Sequence, residues 1–353
     1  FFTNTSIIKL KKLQNTQFKL CQKPRLTLPT FLQTATMQDL STFYVLVFLL
    51  TFISLLPISL SLSTSTSPTP KKASTLRRIY SSVTSSPRDR DELKTGIAAF
   101  YDKSTALWEE VWGEHLHHGY YVPSDRTDHQ QAQVDMIDEL LKFGFGSDAS
   151  QPQVKDIIDV GCGLGGSTRH LAAKYSARAT GITLSPYQAK RGNEIVLEKG
   201  MDPRRVSVKV ADALDMPFEN DSFDLVWSLE SGEHMPSKED FVNEMVRVAK
   251  PGGKIILCTW CHRDLKEGEE LTRREKRCLR RINRCYYLPE WCSVDDYVSL
   301  FEKNGNVEMT TLKRDDWSYV IAPFWKAVIK SSLNVRSIKG LLKSGFKTIR
   351  GAW

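Results

Sequence analysis

Apolar and polar positions alternate along the middle of the chain in a pattern that predicts strands and helices in turn. Five apolar runs, each typical of a buried strand, lie at 154–160, 178–184, 206–212, 223–230 and 254–260. Stretches with helical spacing separate most of them, at 167–175, 186–199 and 237–250. This alternation predicts an α/β fold, a mainly parallel sheet with helices on both faces.

Two further segments flank the alternating core of residues 154–260. Residues 89–150 hold two amphipathic stretches, the first interrupted near Lys103–Ser104, and we expect them to form lid helices over the sheet. Residues 261–300 form a charged insert that can cover a substrate. Its basic run, 273–284, is expected to be a solvated helix face rather than a membrane-binding patch.

The end of the chain is predicted to return to regular structure. The expected elements are a helix over 294–304, a strand over 306–314 and a helical tail over 322–350. Together with the lid segment, the core and the insert, these elements make one domain, 89–353.

The first 88 residues differ from this domain in composition. They contain eleven Lys and Arg and one acidic residue, whereas the remaining residues carry 38 basic and 40 acidic side chains. Their Ser/Thr-rich, basic character predicts an organelle transit peptide without a packed core. The uncharged segment 43–62 is long enough for a membrane anchor or a secretory signal, and a leader translated out of context also stays open. The nearly neutral domain gives no reason to expect a nucleic-acid partner.

A glycine-rich turn follows the first predicted strand. The segment DVGCGLGGS places an acid and four glycines between a strand and a helix, and its candidate cofactor-binding residues are Asp159, Gly161, Cys162, Gly163, Gly165 and Gly166. Glycines let a ligand lie against the backbone, and the helix N-terminus favours an anionic group. The turn therefore predicts a nucleoside-bearing cofactor.

The residues after the second predicted strand argue against a dinucleotide. A dinucleotide site would have an acid about twenty residues beyond the turn, where this chain has Thr183. An acid does follow the third strand, Asp212, and the motifs FDLVW and RVAKPGGKII lie further on. An NAD-dependent oxidoreductase is kept as the alternative from another class.

This set of motifs resembles the class I S-adenosylmethionine-dependent methyltransferases, which have a Rossmann-like fold with a seven-stranded type of sheet. The resemblance implies that the glycine turn faces the methionine and ribose parts of S-adenosylmethionine. It implies that Asp212, followed by Ala213 and Leu214, receives the adenine amino group. Thr183 and Gln188, or backbone groups, would then supply the ribose contact.

Longer strings are similar to the plant gamma-tocopherol methyltransferase family. They are FYDKSTALWEEVWGEHLHHGYY, ITLSPYQAKR, WSLESGEHMPSKEDFVNEMVRVAKPGGKIILCTWCHRDL and YLPEWCSVDDYV. The similarity, over about 91–351, implies C-methylation of a chromanol ring next to its phenol, in the plastid. Because family chains continue beyond Trp353, we expect the last sheet strand to be missing by truncation.

The chemistry that the resemblance implies needs a group that handles the phenol proton. A phenol pKa near ~10 is too high for ionisation at neutral pH, and ESGEHM places the candidates Glu230, Glu233 and His234 after the fourth strand. His234 is expected to act as general base or to orient the phenol. The carboxylates could instead only brace the loop.

Aromatic residues of the lid are the last candidates. Tyr101, Trp108, Trp112 and Tyr120 could close over the cofactor, where aromatic faces favour a sulfonium, or they could be ordinary core residues. The neighbouring HLHH cluster has no acid or Cys at matching spacing, so no metal is expected. The expected partner is a small hydrophobic phenolic substrate, with peripheral contact to a plastid membrane.

Two other functions stay open. One is N-methylation of indole alkaloids by a tocopherol-like methyltransferase. The other is a truncated cofactor-binding protein without activity, whose exposed sheet edge would favour aggregation.

Overall fold

A six-stranded sheet forms the centre of the molecule, which is available as a computed structural model that describes residues 4–11, 90–146, 153–304 and 311–332. The strand order is β1–β6–β5–β2–β3–β4. The strands are β1 (Asn4–Lys11), β2 (Asp156–Val160), β3 (Arg178–Thr183), β4 (Val206–Val210), β5 (Phe223–Leu229) and β6 (Ala249–Cys261). The helices are α1 (Arg90–Trp112), α2 (His129–Phe145), α3 (Gly166–Tyr175), α4 (Pro186–Glu198), α5 (Lys238–Val248), α6 (Arg273–Tyr286), α7 (Val294–Lys303) and α8 (Ser318–Ser332).

Strands β2 to β6 are parallel, which confirms the predicted α/β fold. Their registers place Asp159 opposite Gly181 on β3 and opposite Trp227 on β5. The carboxyl ends of all five strands therefore lie at one edge of the sheet, the edge at which parallel α/β sheets bind ligands.

Apolar side chains cover both faces of this sheet. One cluster packs α5 and α7 against the sheet and includes the fully buried Phe241 and Phe301. The other packs α2 and α3 against the opposite face and includes Met136 and Leu171. Two covered faces explain why the strands are continuous apolar runs rather than alternating ones.

Strand β1 differs from the disordered leader expected over residues 1–88. It pairs antiparallel with β6, from Asn4 opposite Cys261 to Lys11 opposite Lys254. The physical reason is the free edge of β6, whose backbone N–H and C=O groups need partners. Residues 12–89, with the apolar segment 43–62, lie outside the described residues.

Helix α1 is continuous where an interruption was expected near Lys103–Ser104. The Ser104 hydroxyl donates to the carbonyl of Phe100, and the Thr105 hydroxyl donates to the carbonyl of Tyr101. Both hydroxyls thus donate to backbone carbonyls of the preceding turn, so these two polar residues do not end the helix.

The other boundaries agree with the expectations to within a few residues, with one exception. Strand β6 begins at Ala249 rather than at 254, because Ala249 already pairs with Phe223 and a register shift carries the PGG segment past Asp224. The strand expected over 306–314 falls mostly outside the described residues, as does the helical tail beyond Ser332. Among the helices that the structure describes, none is long and apolar enough to cross a bilayer.

Candidate active site

A cavity that is partly open to solvent lies at the carboxyl ends of the strands, and the empty space in and above it is about 1090 Å³, open solvent included. Clefts in this position are where α/β sheets bind small molecules. The residues predicted from the sequence that line the cavity are Tyr101, Asp159, Gly161, Cys162, Gly163, Gly166, Thr183, Gln188, Asp212, Ala213, Leu214, Glu230 and His234. Gly165 and Glu233 are not among its lining residues.

The glycine turn is shaped by a close approach between two loops. Gly161 has a φ of +80°, and its N–H donates to the carbonyl of Ile182. A Cβ at this position would lie 2.2 Å from Cβ of Ser231, on the loop after β5. Glycine is therefore required twice here, by its backbone conformation and by the absence of a side chain.

Asp159 is buried at the base of this turn. Its carboxylate accepts a 2.6 Å hydrogen bond from the Thr168 hydroxyl on α3. Burial raises the pKa of Asp159 to about 7, although the hydrogen bond from Thr168 opposes the shift. The carboxyl braces the turn onto α3 and also lines the cavity.

Thr183 and Gln188 are hydrogen-bonded to each other. The Thr183 hydroxyl donates to Oε1 of Gln188 over 2.6 Å, and Nε2 of Gln188 donates to the hydroxyl of Thr105 on α1. Both residues line the cavity, but these bonds already occupy part of their capacity. A ribose contact from this pair stays a prediction.

Asp212 is paired with basic side chains of helix α1. Nζ of Lys94 lies 2.8 Å from its carboxylate, and Arg90 approaches to 3.9 Å. Burial alone would raise the pKa of Asp212, but the bonds from Lys94 and from the backbone N–H of Leu214 lower it overall. Asp212, the acid predicted to bind the adenine amino group, is thus ionised and forms an ion pair with Lys94.

Lys94 belongs to a stripe of cavity residues on α1, of which only Tyr101 was predicted as a site residue. Arg90, Lys94, Ile97 and Tyr101 all line the cavity from α1. Their spacing of four, three and four residues is that of one helix face. This spacing is present in the sequence, but the apolar residues Leu93 and Phe100 mark the neighbouring face, which packs into the core.

His234 lies in the loop after β5 and contacts α1. Its Nε2 is 2.9 Å from the hydroxyl oxygen of Tyr101, and its Nδ1 is buried without a hydrogen-bond partner in the described part of the chain. Burial, helped by the Lys238 charge, lowers the pKa of His234 to about 3, and burial raises that of Tyr101. The ring is therefore neutral at physiological pH.

Glu230 forms a buried pair with His118. Both carboxylate oxygens lie 2.7 Å from Nδ1 of His118, and the His118 N–H donates to one of them. Glu230 has a φ of +54°, a conformation that costs energy for a residue with a side chain. Burial opposes its ionisation, yet His118 outweighs this and lowers the pKa of Glu230.

Glu233 turns away from the cavity. Its carboxyl accepts a 2.8 Å hydrogen bond from the Thr259 hydroxyl on β6. Burial and the charge of Glu230 raise its pKa to about 8, so this group is mostly protonated at neutral pH. Nearby, Nζ of Lys238 donates to the carbonyls of Gly232, Glu233 and Met235 and holds the His234 loop.

The candidate aromatic residues divide into two groups. Tyr101 lines the cavity, whereas Trp108 packs on Phe100, Trp112 on Phe324, and Tyr120 on Trp317. The structure thus brings only Tyr101 of these four to the cavity.

The histidines of the HLHH cluster bond to one another and to nearby polar groups. His115 Nδ1 lies 3.2 Å from Nε2 of His117, and Nδ1 of His117 donates to the carbonyl of His118. No group of three or more metal-ligating side chains occurs in the part of the chain that the structure describes. Glu114 and Leu116 line the cavity beside His115 and His117, and no pattern in the sequence marks these two residues as cavity residues.

The shape and the charge of the cavity fit S-adenosylmethionine. A cradle that a Cβ would fill, at Gly161, lies beside the N-terminus of α3, which suits a carboxylate. The ionised carboxylate of Asp212 lies in the same cavity and can accept a hydrogen bond from an amino group.

Comparisons with known proteins identify this architecture. The family described as "Methyltransferase domain" matches residues 158–257. Geranyl diphosphate C-methyltransferase from Streptomyces coelicolor A3(2) shares the fold, with a TM-score of 0.56 and 22% identity over 71% of this chain and 91% of its own. The cyclase SpnF does so too, with a TM-score of 0.54 and 22% identity over 71% and 87%. Since a cyclase shares it, the fold does not itself specify methyl transfer.

Sequence relatives are more specific. The "Tocopherol O-methyltransferase, chloroplastic" of Arabidopsis thaliana is 48% identical over 77% of this chain and 79% of its own. The "Probable tocopherol O-methyltransferase, chloroplastic" of Oryza sativa subsp. japonica is 51% identical over 74% and 72%. The chain belongs to the tocopherol methyltransferase family of S-adenosylmethionine-dependent enzymes.

Proposed function

We propose that this protein transfers the methyl group of S-adenosylmethionine to the chromanol ring of gamma-tocopherol, and also of delta-tocopherol, at the carbon next to the phenol. The products are alpha- and beta-tocopherol, forms of vitamin E. The observation that carries the proposal is the placement of Tyr101 and His234, hydrogen-bonded to each other, in the same cavity as the glycine turn and Asp212.

Positioning supplies most of the acceleration in such a transfer. S-adenosylmethionine supplies an electrophilic methyl group, so the protein has to hold the ring carbon in line with it. Tyr101 and His234 provide a hydroxyl and a neutral imidazole that can hold a phenol by hydrogen bonds. These two residues would therefore fix which ring carbon faces the methyl group.

The phenol proton needs an acceptor as the ring becomes nucleophilic. With a pKa near 3, His234 is neutral and can accept a hydrogen bond from the phenol at Nε2, in place of the one it shares with Tyr101. The new carbon–carbon bond forms as the sulfonium–methyl bond breaks, and the ring proton that the methyl group replaces would pass to water at the open side of the cavity. Glu230 is ionised beside this site, but His118 holds both of its oxygens. Of the three candidate catalytic residues, His234 is therefore assigned direct contact with the substrate, and Glu230 and Glu233 support its loop.

We further propose a plastid location. Both tocopherol methyltransferase relatives are named chloroplastic, and residues 1–88 have the composition of a transit peptide. The chromanol tail is very apolar, so the enzyme would meet it at a membrane surface, through peripheral contact with the plastid envelope. No nucleic-acid partner is proposed.

The test is methyl transfer by the full chain with labelled S-adenosylmethionine and gamma-tocopherol. Product analysis decides between carbon and oxygen, because both relatives are named O-methyltransferases. We expect label on the ring carbon. Methylation of the phenol oxygen, or cofactor binding without transfer to any chromanol, would refute the proposal.

A second candidate is N-methylation of an indole alkaloid. The "Ajmaline N-methyltransferase" of Rauvolfia serpentina is 37% identical over 74% of this chain and 88% of its own. Higher identity to the tocopherol enzymes favours the chromanol. Adding ajmaline-type amines to the same assay compares the two substrates directly.

A further inference from the structure

Helix α6 separates its charges from its apolar side chains. Seven basic side chains of this helix are exposed: Arg273, Arg274, Lys276, Arg277, Arg280, Arg281 and Arg284. The half-buried residues are of a different kind, and they include Cys278, Leu279, Ile282 and Tyr286. The helix thus packs on the protein through one side and presents cations on the other.

The cations form a continuous stripe. Arg273, Arg277, Arg280 and Arg284 follow one another at spacings of four, three and four residues, so they lie along one line of the helix surface. The fourteen residues of α6 give this line a length of about 21 Å at 1.5 Å per residue. Glu275, the one acid of α6, is engaged with Arg263.

This basic stripe adjoins the wall of the cavity. At the end of α6, the rings of Tyr286 and Tyr287 each lie 6.3 Å from that of Phe100 on α1. Tyr287 also covers Gly96, where a Cβ would meet its ring at 2.7 Å. The cavity residue Tyr101 follows Phe100 on α1, and their rings lie 5.3 Å apart, so the end of α6 contacts α1 beside the cavity.

Tyr287 has the character of an interfacial residue. It is 38% exposed, at the end of the stripe and beside α1. Tyrosine prefers the boundary between water and hydrocarbon, and basic side chains next to it bind lipid phosphates. The Tyr287 ring packs on Gly96 and Phe100 of α1 and still leaves part of the side chain exposed beside the stripe.

We propose that the basic stripe of α6 docks the enzyme on an anionic bilayer surface, with α1 and the cavity facing the membrane. This deepens the proposed function, on which it rests for the apolar substrate that must leave the bilayer. A membrane is favoured over a nucleic acid because the stripe ends in an exposed tyrosine next to the cavity wall. The exposed cations agree with the solvated helix face expected from the sequence, and the proposal adds a membrane surface that these cations bind.

The test measures binding of the full chain to lipid vesicles without substrate. Vesicles of 70% phosphatidylcholine and 30% phosphatidylglycerol are compared with pure phosphatidylcholine by co-sedimentation at low and high salt. Hydrogen exchange then locates the contact. We expect anionic vesicles to protect residues 273–287, an observation that a basic leader elsewhere in the chain would not produce.

A charge-reversed variant and a matched control make the test specific. Because each basic residue near an anionic surface contributes about fivefold to binding, R277E/R280E/R284E, which also adds three repelling charges, should reduce the contribution of α6 by at least about 100-fold and abolish the protection. The control K190E/R204E/K209E changes the same charge at exposed residues of the α4–β4 region and should retain both.

Three outcomes would overturn the proposal. They are absence of protection over 273–287, unchanged binding and protection in the α6 variant, and tighter binding of single-stranded RNA than of anionic vesicles at this helix. Failure of the proposed function is separate, because it would show as absent methyl transfer with vesicle binding intact.

Discussion

The hydroxyl oxygen of Tyr101 lies 2.9 Å from Nε2 of His234, which joins helix α1 to the loop after β5 inside the cavity. The contact links two residues 133 positions apart. It makes the position of the imidazole depend on the position of α1.

Replacing His234 should therefore impair turnover more than folding. We expect His234→Ala to lower kcat by about 100-fold, the loss that follows when a reacting carbon is no longer held in line with the methyl group. Circular dichroism should be unchanged. His262→Ala is the control, since His262 is a half-buried histidine that bonds to the Arg263 carbonyl outside the cavity. Full turnover of His234→Ala would remove this residue from the account.

The pH dependence of kcat follows from the low pKa of His234. A group that is neutral above pH 3 does not change its charge between pH 5 and 8. We expect no acid limb near pH 6.5 from this residue. An acid limb with an apparent pKa close to 6.5 that disappears in His234→Ala would contradict the structure.

Glu233 should make stability depend on pH. Its folded pKa of about 8 lies above the ordinary value of 4.5, so the unfolded state loses its proton first as pH rises. The stabilisation is complete below pH 4.5 and is lost as pH rises through 8.

Glu233→Gln removes this titration and keeps an acceptor for Thr259. We expect denaturant unfolding to show a smaller loss of stability between pH 5 and 8 in the variant than in the parent. The difference should be on the order of 1 kcal/mol per unit of pKa shift. Parallel curves for the two proteins would show that Glu233 is already ionised.

Gly161 in the glycine turn can be compared with Gly200, which follows helix α4 and also has a positive φ. Gly161→Ala places a Cβ 2.2 Å from Ser231, whereas Gly200→Ala meets nothing within 4 Å, although both have φ above +60°. We expect Gly200→Ala to cost about 1–2 kcal/mol, the strain of φ alone. Gly161→Ala should cost more and abolish binding of S-adenosylhomocysteine, as measured by thermal shift and calorimetry. Equal costs and intact binding would contradict the close approach.

The Lys94–Asp212 pair should compete with the cofactor. If adenine takes the place of Lys94 at the carboxylate, Lys94→Met should tighten S-adenosylhomocysteine binding by up to about fivefold, since a partly exposed ion pair contributes at most about 1 kcal/mol. Asp212→Asn should weaken binding by about tenfold or more. Weaker binding in Lys94→Met would mean that the lysine itself holds the cofactor.

The sheet and its ligand edge could be predicted because the strands are apolar runs and the glycines mark a turn. Local pattern could not reveal the pairing of Lys94 with Asp212 or of His118 with Glu230, which join residues 118 and 112 positions apart. Glu233 shows the same limit. Its neighbour His234 faces the cavity while Glu233 faces Thr259, because a turn of 3-10 helix separates their directions.

The most direct test of the account is the nuclear magnetic resonance spectrum of the product formed by the full chain from gamma-tocopherol and S-adenosylmethionine with a 13C-labelled methyl group. We expect one labelled methyl on the chromanol ring carbon next to the phenol, formed about 100-fold more slowly by His234→Ala. A labelled methyl on the phenol oxygen, or label found only on an alkaloid amine in the mixed-substrate reaction, would contradict it.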